Sequence, residues 1–285
     1  MDVSIIIINY NSTNLLINAI HSVQKNTFGI DYEIIVVDNA SPDKGISLLR
    51  KEFPIGINFI ESPINRGFGG ANNIAIQQAK GKYLFFLNPD TLLVNNAIKI
   101  LFDFFEHTSS KVGAVGGMLI DEQHQPNNSF GYFPTPSNVI SVYTRRNHSR
   151  VQKIDHPTCV DFISGADLMV PRQIIDIVGG FDERFFMYCE EADLQKRIEQ
   201  AGYDRMVIPD AIIIHFEGGS YIQKRSARRR LEQDRSYCYF IKKHYPPITY
   251  LLFRIVFFVI RIPAILNPNY HISDSFSYLK MLIKL

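Results

Sequence analysis

Short apolar runs alternate with helical patterns through the first half of the chain. SIIII (4–8) is β-branched and too short for an independent helix, so it reads as a buried strand. A helix is expected from Thr13, because Leu15, Leu16, Ala19, Ile20 and Val23 fall along one face. The same alternation continues with a strand at EIIVV (33–37), a short helix over 46–53, and a strand at INFIE (57–61). A helix carrying Ala71, Ile74, Ala75 and Gln78 opens near Gly69; YLFFL (83–87) is a further strand, and 95–106 an amphipathic helix. Such alternation predicts an α/β fold with a mainly parallel sheet covered on both sides.

The second half is less regular. VGAVGGMLI (112–120) reads as a strand, and the stretch 121–138, rich in Pro, Asn and Gly, as a long loop. CVDFI and DLMVP suggest strands around Gly165, EEADLQKRIEQAG a helix ended by Gly202, and MVIPDAIIIHF one or two more strands. There is no internal repeat and no low-complexity tract.

Polar residues gather where apolar runs stop. EIIVV ends in Asp38, YLFFL runs into Asn88, Pro89 and Asp90, and the first strand ends at Asn9 and Tyr10. In an open parallel sheet, ligands bind outside the carboxyl ends of the strands. Tyr10, Asp38 and Asp90 thus share an edge, although either acid alone also suits a turn or cap. NRGFGGANN (65–73) opens a helix with glycines that let backbone N–H groups approach a phosphate, and Arg66 adds a cation. Its G-x-G-x-x-G start fails at Asn72 and lies outside the first strand–helix turn, which argues against a dinucleotide site. Glu190, Glu191 and Asp193 begin a later helix, where acids also complement the dipole and Asp193 can pair with Arg197. The preceding Phe185, Phe186, Met187 and Tyr188 would shelter them from water, and His215 closes another strand ahead of Gly218 and Gly219.

Composition narrows the classes. The 285 residues are 46% hydrophobic and 20% charged, as in a globular protein with a sizeable core. A net charge of +2 gives no reason to expect a nucleic-acid partner. Three widely spaced cysteines form no metal pattern and no disulfide framework, and the N-terminus has no basic region before its short apolar run. A cytoplasmic location is expected. Charge is nonetheless uneven: between Gln223 and Lys243 eight Lys or Arg face two acids, and ITYLLFRIVFFVIRIPAIL (248–266) follows. Arg254, Arg261 and Pro263 interrupt that segment, so it does not read as a spanning helix. Two readings stand: an amphipathic helix on the inner, anionic face of the cell membrane, or a helix packed on the domain with its arginines solvated.

SIIIINYNS, VVDNASPD, NRGFGGANN, FLNPDT, GGFDERFFMYCEEADL and HFEGGS, in that order, resemble family-2 inverting glycosyltransferases, especially bacterial rhamnosyltransferases of surface polysaccharides. The similarity covers roughly residues 1–245. It implies a GT-A fold with a Rossmann-like sheet over 1–222, split into a nucleotide-sugar half (1–110) and an acceptor half (111–222). A basic, helical appendage (223–285) follows. It further implies transfer from a nucleotide-diphosphate sugar, with rhamnose from a dTDP donor as the best reading, to a glycan or lipid-linked acceptor, with Mg²⁺ or Mn²⁺. Asp90 then matches the metal-binding acid of the D-x-D motif, with Asn88 replacing the first Asp, and His215 a late histidine that completes the metal site. Asp38 matches the residue that reads the base, and Asn65, Arg66 and Gly67 the donor loop. Glu190, Glu191 and Asp193 match E-D-x-D, with Glu191 where the family carries its catalytic Asp. A sugar-nucleotide scaffold without turnover and a nucleotidyltransferase are the competing classes, the latter lacking a basic, glycine-rich loop near the N-terminus.

Overall fold

A computed structural model describes residues 1–144, 154–216, 227–265, 278–280 and 282. The first half follows the expected alternation: β1 (Val3–Asn9), α1 (Thr13–Asn26), β2 (Tyr32–Asp38), α2 (Ile46–Glu52), β3 (Ile57–Glu61), α3 (Gly67–Gln78) and β4 (Tyr83–Leu87). Next come β5 (Thr91–Leu93), α4 (Ala97–His107), β6 (Val112–Ile120), β7 (Phe130–Gly131), α5 (Pro136–Thr144), β8 (Thr158–Cys159) and β9 (Phe162–Ile163). β10 (Asp167–Pro171), α6 (Arg172–Val178), α7 (Glu190–Gln200), β11 (Asp204–His215), α8 (Ala227–His244) and α9 (Pro247–Ile265) complete the order.

One nine-stranded sheet in the order β3-β2-β1-β4-β10-β6-β11-β5, with β8 on β11, forms the centre. β1 to β4 are parallel to one another, as expected. The rest is mixed, because β10 runs antiparallel to β4 and β6, and β5 antiparallel to β11. A buried apolar run looks the same in either direction, which is why the pattern could not report this. β11 is one strand with a register shift between Ile208 and Ile212. The stretch 121–138 is not all loop: it holds β7 and the start of α5, whose first residue, Pro136, suits a helix opening.

Successive side chains of a strand serve opposite faces. Ile5 and Ile7 pack with Leu16, Ile20 and Leu49 of α1 and α2, while Ile6 and Ile8 pack with Ala71, Ala75, Ile174 and Leu194 of α3, α6 and α7. Two further clusters attach the C-terminal helices. Cys238, Ile241, Phe253 and Phe257 pack on Val139 of α5, and Phe240 packs with Phe185 and Ala192 beside α7.

The arginines of α9 do share a side, but neither is solvated. Arg261 is buried and donates from Nε to Asp234 Oδ2 at 2.8 Å and to the Tyr278 hydroxyl at 2.6 Å. Arg254 donates to the Leu282 carbonyl at 2.6 Å. A guanidinium facing a buried carboxylate gains a partner that water would only screen, so α9 turns its charged side inward. Among the described residues no helix is long and apolar enough to cross a membrane. The expected boundary at 222/223, Gly218 and Gly219 all lie outside the described residues.

Candidate active site

At the carboxyl edge of the sheet, β1 and β2 end side by side at Asn9 and Asp38. The Asn9 amide donates to Asp38 Oδ1 at 2.8 Å and the Ser41 N–H to Oδ2 at 3.2 Å, which fixes the turn after β2. Asn39 then joins two loops: it donates to Asn65 Oδ1 and to the Gly67 carbonyl, both at 3.1 Å, and accepts the Arg66 N–H at 2.9 Å. These contacts shape a cavity of about 370 Å³ lined by Tyr10, Asn39, Asn65, Gly67, Asn88 and Asp90. Asp38 and Arg66 lie beside this cavity without lining it; Arg66 stands 3.9 Å from Glu183.

The turn Asn88-Pro89-Asp90 is both punctuation and site. Thr91 closes it by donating its hydroxyl to the Asn88 carbonyl at 2.7 Å. β5 then pairs with β11, setting Thr91 opposite His215, so that His215 Nε2 stands 3.5 Å from Asp90 Oδ1. Asp90 is buried, at 6% exposure. A carboxylate and an imidazole this close make a donor set that suits Mn²⁺ or Mg²⁺ when substrate phosphates and water supply the remaining oxygens. No group of three His, Cys, Asp or Glu side chains gathers for a metal among the described residues. The residues present fit a metal shared with the substrate.

A tight approach brings the second acidic group to this edge. Gly67 has φ +73°, and a methyl there would sit 2.1 Å from the Phe186 carbonyl oxygen, which also accepts the Phe68 N–H at 3.2 Å. Only glycine fits. Tyr188 and Cys189 follow with φ 71° and 66°, two consecutive left-handed residues that turn the chain abruptly into α7. Strain of this kind persists where surrounding packing enforces it, and here Phe185 and Cys189 are buried in the cluster around Phe240.

The three acids of α7 receive different surroundings. Glu190 is buried at 5%, its Oε2 has no hydrogen-bond partner among the described residues, and burial followed by the Glu191 charge pushes its pKa well up. Glu191 is half-buried and lines a second cavity, of about 600 Å³, with Tyr132, Phe162, Tyr188, Gln233 and Tyr237. Burial raises its pKa, partly offset by the N–H groups of Glu191 and Ala192. Asp193 meets Arg197 at 3.0 Å as expected, but also Lys243 at 2.6 Å and His244 at 2.8 Å from α8. Against the upward push of burial, the hydrogen bond to His244 and the charges of Arg197 and Lys243 hold its carboxyl below the usual range. Asp193 lines neither cavity. A carboxylate engaged by Arg197, Lys243 and the His244 ring ties α7 to α8, away from the cavity that Glu191 lines.

Tyr188 lines both cavities, so Asp90 and Glu191 border adjoining cavities that share this side chain, and His215 reaches the same edge through its 3.5 Å approach to Asp90. Tyr10, Asn65, Gly67, Asn88 and Asp90 meet there as expected. Arg229, from the first turn of α8, also lines the smaller cavity. It belongs to the basic run between Gln223 and Lys243, where no local pattern reveals that α8 reaches this cavity. Asn39 was readable within VVDNASPD, as a polar residue next to the strand-end acid.

Comparison with known proteins gives the cleft a family. Residues 4–169 match the profile of "Glycosyl transferase family 2". The chain is similar to the rhamnosyltransferase WbbL of Escherichia coli K12, 31% identical over 201 residues, 65% of this chain and 73% of that protein. It is also similar to the N-acetylglucosaminyl-diphospho-decaprenol L-rhamnosyltransferase of Mycobacterium tuberculosis, 24% identical over 234 residues, 74% of this chain and 75% of that protein. Among solved structures, the mannosyltransferase PcManGT of Pyrobaculum calidifontis, in complex with GDP-Man and Mn²⁺, superposes with TM-score 0.59 at 17% identity, over 98% of this chain and 74% of that one. GalNAc-T7 with UDP, GalNAc and Mn²⁺ superposes with TM-score 0.62 at 16% identity, over 85% of this chain and 48% of that one. These neighbours share the GT-A fold expected above. With its strand-end acid, its glycine-opened helix and its acid-led α7 all set around these adjoining cavities, the chain belongs to glycosyl transferase family 2.

Proposed function

We propose that this protein is an inverting glycosyltransferase of cell-surface polysaccharide synthesis. It would move a sugar, rhamnose from dTDP-rhamnose as the best reading, from a nucleotide diphosphate to a hydroxyl of a glycan or lipid-linked acceptor. The observation that carries this reading is that two cavities share Tyr188, with Asp90 lining one, His215 3.5 Å from that Asp90, and Glu191 lining the other. Rhamnose rests on the rhamnosyltransferases among the relatives, one of them named for a diphospho-decaprenol acceptor.

The donor would lie in the smaller cavity, its diphosphate toward Asp90, His215 and Arg229. The Arg229 guanidinium would neutralise part of the leaving-group charge. Asp38 keeps acceptor capacity beyond its bonds to Asn9 and Ser41, which suits the imide N–H of thymine or uracil. Asp90 and His215 would hold the divalent cation, which supplies Lewis-acid stabilisation of the departing diphosphate. Glu191 would remove the proton of the acceptor hydroxyl from the side of the sugar opposite the diphosphate, and its raised pKa makes it a stronger base than an exposed carboxylate.

The test is incubation with dTDP- and UDP-sugars and a polyprenyl-diphosphate-linked glycan, with and without chelator, reading product and anomeric configuration by NMR. Metal-dependent transfer with inversion is expected. Retention would reject the mechanism, and donor binding without transfer would favour the scaffold reading.

A further inference from the structure

The face of α9 opposite Arg254 and Arg261 is wholly aliphatic. Ile248, Leu251, Leu252, Ile255, Val256, Val259 and Ile262 are each 38–62% exposed. They recur at helical spacing, so they form one stripe, which at 1.5 Å per residue runs for roughly 20 Å. A contiguous apolar stripe of this length marks an interaction surface. The helix has no need of it for packing on the domain, since Phe253, Phe257 and Arg261 already provide that on the other side.

We propose that this face docks the enzyme on an anionic lipid bilayer, with α9 lying in the headgroup layer. Charge identifies the occupant. No Asp or Glu occurs between Arg235 and Ser273, while Lys242 and Lys280 are exposed beside the helix. Lys242 stands 5.9 Å from the ring of Tyr250 in the first turn of α9, and Lys280 belongs to the short segment whose Tyr278 and Leu282 contact Arg261 and Arg254. An aliphatic stripe on an acid-free helix, with exposed lysines on the segments packed against that helix, complements lipid tails below anionic headgroups. A second copy of the chain would bring the same lysines with no acid on this segment to meet them.

Position supports the same occupant. α5 packs on α9 through Val139 and Tyr143, while its Asn138, Ser141 and Val142 line the larger cavity beside Glu191. Tyr132 and Val142, both in that lining, are 58% and 53% exposed. The stripe and the proposed acceptor cavity thus lie on opposite sides of the α5–α9 pair, so a bilayer on α9 would hold a lipid-linked sugar at the same end of the molecule as Glu191. This deepens the lipid-linked acceptor reading above and rests on it for the identity of what enters the cavity.

The experiment is flotation of the full chain with phosphatidylcholine vesicles and with phosphatidylcholine–phosphatidylglycerol vesicles. The wild type is expected to float with the anionic vesicles and to be released by salt. The variant L252E/I255E/V259E should lose at least about tenfold in the bound fraction, as removal of the apolar anchor demands. K242E/K280E should bind more weakly and lose the salt response. Both variants alter exposed side chains, and transfer to a short soluble acceptor should remain at wild-type rate. A wild type that stays unbound, or a triple variant that floats equally well, overturns the proposal. So does a dimer in sedimentation velocity that the triple variant dissociates, which would assign the face to a second copy. Flotation is read without turnover, so it stands or falls separately from the assignment of the reaction.

Discussion

The two cavities that meet at Tyr188 are built from different materials. The smaller one is made at strand ends and by backbone: Asn39 bridges two loops, Gly67 admits a carbonyl, and β5 pairs with β11 to bring Asp90 to His215. The larger one is made of helix faces and aromatic side chains from α5, α7 and α8. A diphosphate is the same for every donor of its class and suits a rigid polar edge. Acceptors vary, and helix faces can change residue by residue without disturbing the sheet. The difference also divides the acids. Those of the sheet edge depend on strand register, whereas Glu191 depends on how α8 clamps α7 through Asp193.

Four measurements would break or sharpen this division. The largest effect is expected from Glu191→Gln, which should lower turnover by about 10²–10⁴ while nucleotide-diphosphate binding by calorimetry is unchanged. A loss of donor affinity at normal turnover would move Glu191 to the other cavity. Asp193→Asn should cost about 3–5 kcal/mol in urea unfolding, because Lys243 and Arg197 lose their buried counter-charge. A near-neutral result would remove the clamp from the argument. Asp90→Ala should weaken metal-dependent donor binding at least about tenfold, the worth of one charged contact, with little change in unfolding midpoint. An enzyme whose donor affinity ignores chelator would contradict the metal assignment.

The smallest effects are in pH. Asp193 and Asp182 both have folded pKa values below their ordinary ones. Burial opposes this in each case; His244, Arg197 and Lys243 prevail for Asp193, and Arg184 and Lys243 for Asp182. The stability they add is therefore complete above the unfolded carboxylate pKa and is lost as pH falls through the folded values. The urea midpoint should drop in acid, and drop less in Asp193→Asn. Glu191 shifts the opposite way, so the acidic limb of kcat/KM should lie above the usual carboxylate range and vanish in Glu191→Gln.

How much of this was legible from sequence follows the same division. The strands β1 to β4 were readable because buried parallel strands are continuous apolar runs, and the acids at their ends fall on one edge by topology alone. Glu191 was readable through an ordered set of motifs. What sequence did not disclose depends on contacts between distant segments. The pairing of Thr91 with His215, the arrival of Arg229 at the smaller cavity and the clasp of Lys243 and His244 on Asp193 leave no local periodicity. Basic residues of α8 looked alike in the sequence, yet Arg229 lines a cavity and Lys243 is part of an ion-pair network. The inward turn of Arg254 and Arg261 was hidden for the same reason, since a charge seven residues from another says which side it shares and not what that side faces.

β10, inserted antiparallel between β4 and β6, stitches the two halves of the chain into a single hydrogen-bonded surface. Jaws that opened about a hinge would have to tear that strand from its neighbours. On the proposed function, release of the spent nucleotide would then rely on small excursions of the segment seated on Gly67, and cross-linking that segment to α3 would slow the catalytic cycle without touching a single reacting atom.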